Sequence, residues 1–189
     1  PPMARLLGDQ GGVWAHPMKA LDGFQFDVLQ DSRPDWELTN SRHFSHTFYA
    51  AQFHYEQRGL SATREDFAAE DEPTLYTALT LRNKTDEEQA LCVRFTARVN
   101  LRPAWRSGLA NDLDEIRVEG GIAMAADATN PLGRVVFGAD RSPAEQITED
   151  NVVTMTYALT IPASGTATLP FAIVVGAPDE GSSEREQFE

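Results

Sequence analysis

The chain has 189 residues, a net charge of −13, 41% hydrophobic and 24% charged residues, and a single cysteine. This composition fits one globular domain with enough apolar material to fill a core without disulfide or metal staples. The acidity argues against a phosphate-tracking nucleic-acid binder, which needs clustered Lys and Arg, and against an anionic membrane surface.

Residues 1–12 read as a flexible N-terminal segment, with no apolar stretch of signal-peptide type. No apolar run anywhere approaches the ~20 residues of a membrane-spanning helix. The most specific stretch follows, Gly11 to Phe24, GGVWAHPMKALDGF. Its paired glycines allow a tight backbone turn, Pro17 blocks a regular central strand, and Asp22-Gly23 reads as a turn with Asp22 as its cap. Phe24, Phe26 and Val28 alternate with Gln25, Asp27 and Leu29, a period-two strand. Residues 31–35 form a loop around Arg33-Pro34. Ser45 to Tyr55 reads as one aromatic strand, Leu60 to Phe67 as a weaker one, and Ala68 to Pro73 as an acidic loop.

Two long pairs of alternating segments dominate the rest. Leu75–Arg82 and Leu91–Asn100 flank the polar turn Asn83–Gln89; Val152–Ile161 and Thr166–Val175 flank Pro162–Gly165. Both read as antiparallel hairpins. Between them, Ile116–Val118, Ile122–Ala126 and Arg134–Gly138 are short strand candidates. With about eight to ten strands and almost no helical periodicity, the fold expected is all-β, a two-sheet antiparallel β-sandwich over 13–177. The tail, 178–189, changes to polar residues, and Ser183-Glu184-Arg185-Glu186 matches a capping box. It reads as the start of a linker helix leading to a further domain.

Few residues offer chemistry. Asp112, Asp114 and Glu115 cluster but lack the glycine and distal Glu of a calcium loop, so a solvated loop is the simpler reading. His43 and His46 have HxxH spacing without supporting Cys or carboxylates, so no metal is assigned. Cys92 sits in a strand pattern as a packed thiol, and one cysteine suits a reducing, cytoplasmic setting. No nucleophile elbow or phosphate loop is present, so neither a catalytic residue nor a cofactor is assigned. Trp14, Trp36 and Trp105 lie in loops or at strand ends, where a tryptophan serves as a packing anchor or as a platform for a sugar ring.

GGVWAHPMKALDGF with FQFDV, then VNLRPAW, GGIAMAADATN and TLPFAIVVGAP, resembles the N-terminal β-sandwich of bacterial glycogen-debranching-enzyme-related proteins, essentially along the whole chain. Those proteins are glycoside hydrolases with an (α/α)6, six-hairpin catalytic barrel. The resemblance implies a supersandwich-like accessory domain without catalytic residues of its own, packed on a barrel of the same polypeptide. It makes Trp14, His16, Lys19 and Trp105 candidates for contact with that barrel or with an α-glucan. A docking domain should carry an apolar patch, on one sandwich face or on the loop of Val13, Trp14 and Pro17. A stand-alone carbohydrate-binding module should expose two coplanar tryptophans. A self-standing anomerase would need His46 or His54 to converge with Glu56.

Overall fold

The computed structural model describes residues 11–30, 35–57, 59–104, 114–128 and 133–176. These residues form fourteen strands in two antiparallel sheets packed face to face, and no helix. Trp105, Asp112 and the tail at 178–189 lie outside the described residues.

The smaller sheet contains β1 (Val13–Ala15), β2 (Met18–Leu29), β3 (Trp36–Glu37), β8 (Gln89–Pro103), β12 (Glu145–Glu149) and β13 (Val152–Ile161). They run in the order β1-β2-β8-β13-β12, with β3 also on β2. The larger sheet contains β4 (His43–His46), β5 (Ala51–Gln57), β6 (Leu60–Ala68), β7 (Thr74–Asn83), β9 (Glu115–Glu119), β10 (Ile122–Ala126), β11 (Arg134–Ala139) and β14 (Thr166–Gly176). Its order is β4-β5-β6-β7-β14-β11-β10-β9.

Alternation decides which side chains meet between the layers. On β8, Leu91, Val93, Phe95, Ala97 and Val99 are buried while Arg94, Thr96 and Arg98 face out. Phe95 stacks across the layers on Phe171 of β14 with centroids 4.3 Å apart, and Phe26 closes the group at 5.2 and 5.5 Å from them. This aromatic group holds the two sheets together, since rings of this kind carry most of the apolar area in a core.

The two expected hairpins are not hairpins. The segments β7 and β8 belong to different sheets, and so do β13 and β14. Each pair folds across the sandwich as an arch, so the apolar faces oppose each other instead of lying side by side. Alternation marks the buried face of a strand but does not name its neighbour. Asn83, fully buried, joins the two arch turns. Its side-chain amide donates to Glu87 O at 2.7 Å and Pro162 O at 3.0 Å, and its Oδ1 accepts from the Thr85 amide at 2.9 Å.

Two further expectations change. Residues 45–55 do not form one strand; β4 and β5 make a hairpin, with the Thr47 amide bonded to Ala50 O at 2.8 Å. Asp22-Gly23 is not a turn but the middle of β2, where the pairing with β8 shifts register between Leu21 and Gly23. The turn lies earlier, at His16-Pro17, a cis peptide bond between β1 and β2. The short strands β1 and β3, the edge strand β12, whose five residues are all exposed, and the division of residues 45–55 into β4 and β5 account for the larger strand count.

Candidate functional site: an edge cleft and two hairpins

The β1–β2 hairpin is the GGVWAHPMKALDGF stretch, and it folds around buried charge. Lys19 is 2% exposed, yet it carries an ammonium. Its Nζ pairs with Asp22 at 2.8 Å and lies 5.4 Å from the Trp14 ring centroid. Arg102 of β8, also buried, stands opposite Lys19 in register and approaches the same ring at 5.5 Å. The Trp14 indole N–H donates to Gly11 O at 3.3 Å. Such a ring offers its negative face to the cations, which lowers the cost of burying them.

Asp22 is the counterion. Asn100 donates to it at 2.7 Å, and Arg98 lies 3.5 Å away. Burial pushes its carboxyl up, but the bonds from Lys19 and Asn100 and the charges of Lys19 and Arg98 outweigh this and hold it below the usual carboxylate range. Of the sequence candidates, then, the fold brings Trp14 and Lys19 together. His16 is exposed at the turn, and Trp105 lies outside the described residues.

The far end of the same hairpin borders a cleft of about 610 Å³ between the two sheets. Gly11, Gly12, Asp22 and Gly23 form one wall; Phe53, Tyr55, Arg64 and Asp66 of β5 and β6 form the other. Gly12 has φ +106°, and a Cβ there would lie 2.0 Å from Leu21 O, so the two backbones touch only because no side chain intervenes.

Arg64 and Asp66 are the unexpected residues. They follow Leu60 and Ala62 on the inward face of β6, where an apolar pair would continue the pattern. Arg64 pairs with Asp66 at 2.7 Å, and Asp66 accepts the Thr77 hydroxyl at 2.6 Å. The guanidinium lies between two rings, 4.5 Å from Phe53 and 5.0 Å from Phe24. Its Nε is buried with no acceptor among the described residues. Burial raises the Tyr55 hydroxyl, so the phenol stays protonated at neutral pH. The signal was present in the sequence, since Arg64 and Asp66 are in phase with the apolar set, and a charge in that phase marks either an edge or a site.

The cleft lies where the edge hairpin β1–β2 of the smaller sheet faces β5 and β6 of the larger one. Phe44 of β4 is in phase with core-packed Phe53, yet it is 50% exposed. At the tip of this hairpin, Phe48 is fully exposed and Tyr49 is 72% exposed. Of the Val13, Trp14 and Pro17 loop, Val13 is buried, Trp14 partly covered and Pro17 exposed.

The remaining candidates do not assemble. His43 and His54 stack on the outer face of β4 and β5 at 5.5 Å. His54 bonds the Thr63 and Ser45 hydroxyls, while Glu56 bonds Lys84 at 2.6 Å, so histidine and carboxylate serve different partners. His46 points to the opposite face from His54. Asp114 accepts from the Leu101 amide and from Asn151. Among the described residues no group of three or more His, Cys, Asp or Glu could hold a metal ion. Among them, too, no helix is long and apolar enough to cross a membrane.

Neither a family model nor a curated protein matches the chain. Solved structures do. A protein described as a kojibiose phosphorylase, from the human microbiome, aligns with a TM-score of 0.57 at 11% identity, over 97% of this chain and 27% of that one. A polysaccharide lyase aligns with a TM-score of 0.54 at 10% identity, over 83% of this chain and 26% of that one. At such identity the likeness is one of fold, a two-sheet β-sandwich. The chain spans about a quarter of the length of either neighbour.

Proposed function

We propose that this chain is the non-catalytic accessory β-sandwich of a glycogen-debranching-related glycoside hydrolase, packed on an (α/α)6 catalytic barrel of the same polypeptide. The observation that carries the proposal is the pair of coverages: nearly all of this fold recurs as about a quarter of a much longer carbohydrate-active protein. The β4–β5 hairpin supplies a means of attachment. Phe44, Phe48 and Tyr49 are exposed aromatics on the edge hairpin of the larger sheet, and apolar surface of that kind suits an interface. The barrel, which carries the glycosidase chemistry, is the partner assigned to it. The single cysteine, Cys92, suits a cytoplasmic site of action.

A stand-alone carbohydrate-binding module is the second reading, and the edge cleft favours it. The anomerase reading has no such support, because His54 and Glu56 are tied to separate partners.

The test uses the complete polypeptide of the parent reading frame. Limited proteolysis should leave sandwich and barrel associated, and Phe48→Ser with Tyr49→Ser should release the sandwich faster. An unchanged rate removes the hairpin from the interface. A reading frame without paired helical segments overturns the accessory role.

A further inference from the structure

We infer that the cleft between the β1–β2 hairpin and strands β5–β6 is a binding site for a neutral, polyhydroxylated ligand of sugar type, held by Arg64, Asp66 and Tyr55. Its size of about 610 Å³ falls inside the roughly 300–1,000 Å³ typical of small-molecule clefts. Its walls are mainly apolar, from Phe24, Phe53, Leu38 and Leu75, with a few polar groups converging among them.

The charge balance selects the ligand class. Arg64 alone would attract an anion, but Asp66 cancels it at 2.7 Å. A second carboxylate, Asp22, lies in the opposite wall and is held ionised by Lys19 and Arg98. Each charge in the cleft wall therefore already has a counterion among the described residues, and none of these cations is left unpaired to recruit a phosphate or carboxylate. What remains is a mixed set of donors and acceptors: the guanidinium, the Asp66 carboxylate, a protonated phenol and the peptide groups of Gly11, Gly12 and Gly23. A sugar hydroxyl both donates and accepts, so it matches such a set, and the C–H faces of a sugar ring suit aromatic walls.

Arg64 Nε adds a second, independent observation. It is a buried donor without an acceptor among the described residues, and such a group costs stability. A hydroxyl, or a water brought in with one, that enters beside the guanidinium relieves that cost. The rings of Phe24 and Phe53 meanwhile fix the plane of the guanidinium, so little rotamer entropy is lost on binding. The choice of an α-glucan as probe rests on the function proposed above; the site itself does not.

The experiment is an amide NMR titration of the purified chain with maltose, with glucuronate and inorganic phosphate as parallel arms. Maltose should bind in the millimolar range and shift the amides of Gly12, Gly23, Tyr55 and Arg64. Arg64→Met should weaken binding roughly tenfold or more, as expected for a lost bond to a charged group. Tyr55→Phe, which keeps the packing, should weaken it by a smaller factor and serves if Arg64→Met does not fold. Binding of glucuronate or phosphate but not maltose overturns the neutral-ligand assignment. Shifts confined to the outer face of the smaller sheet, around Asp27 and Thr154, overturn the location. No shift at tens of millimolar maltose overturns the site. Phe48→Ser should leave the titration unchanged, so loss of docking and loss of binding are read separately.

Discussion

The two edge hairpins of this sandwich invert each other. The β1–β2 hairpin buries what should be outside: an ammonium at 2% exposure, with a second cation beside it. The β4–β5 hairpin exposes what should be inside, a phenylalanine with its whole side chain in solvent. Between them the core follows the ordinary rule, with Phe26, Phe95 and Phe171 fully covered. The first hairpin satisfies itself, since its charges have partners and its glycines have contacts. The second does not, since Phe48 and Tyr49 stand in solvent and Phe44, though its ring lies 5.1 Å from that of Phe53, stays half exposed. A self-satisfied irregularity points to local structure and to the cleft it shapes; an unsatisfied one points to a missing partner.

The sharpest way to break this contrast is at Gly12. Gly12→Ala must place a Cβ where Leu21 O now lies and hold φ near +106°. Left-handed strain and overpacking together should cost about 3 kcal/mol or more, read as a fall in the urea midpoint. A loss under about 1 kcal/mol would show that the hairpin slides freely on β2.

Asp22→Asn comes next. It leaves Lys19 without its 2.8 Å counterion. Removing one member of a fully buried pair costs about 3–5 kcal/mol, but Asp22 is 26% exposed, so about 2 kcal/mol is expected. The pH dependence has a definite sign. The folded carboxyl is held below its unfolded value, so its stabilisation is complete above the unfolded pKa and is lost as pH falls through the lower folded one. Wild type and variant should therefore differ most near neutrality and converge in acid. A gap that persists unchanged at the lowest pH would mean that packing, not charge, separates them.

How much of this was legible in the sequence varies with the physics involved. The sandwich was, because alternation on β8, β13 and β14 is nearly perfect and faces one core. The pairing of those strands was not, because an arch and a hairpin have the same alternation and differ only in the direction of the turn. The buried amide of Asn83 shows that difference, and a single Asn in a polar turn does not announce it. Trp14 and Lys19 stood out as candidates in one stretch, but their packing against each other did not. Arg102, their partner across the sheet, needed the register. Arg64 and Asp66 were in plain phase with Leu60 and Ala62, but a charged pair in a short strand reads first as a weak strand. Phe48 and Tyr49 were absorbed into an aromatic run, because nothing in SHTFYAAQFHY says where it reverses.

The smallest effect on stability belongs to that reversal. Phe48→Ser and Tyr49→Ser remove side chains that touch little, so each should change the unfolding free energy of the isolated chain by less than about 0.5 kcal/mol. Their effect should appear elsewhere, as lower binding of an apolar dye and less self-association at high concentration. The two readouts must separate for the contrast to stand. A hairpin whose aromatics stabilise the isolated chain by more than about 1 kcal/mol is packed, and it belongs with the β1–β2 hairpin as local structure. A hairpin whose loss costs the chain nothing, but frees the sandwich from the complete polypeptide, is held exposed for a partner. The architecture of the larger sheet favours the second outcome, because β4 is its edge strand and leaves Phe44 half exposed among the described residues.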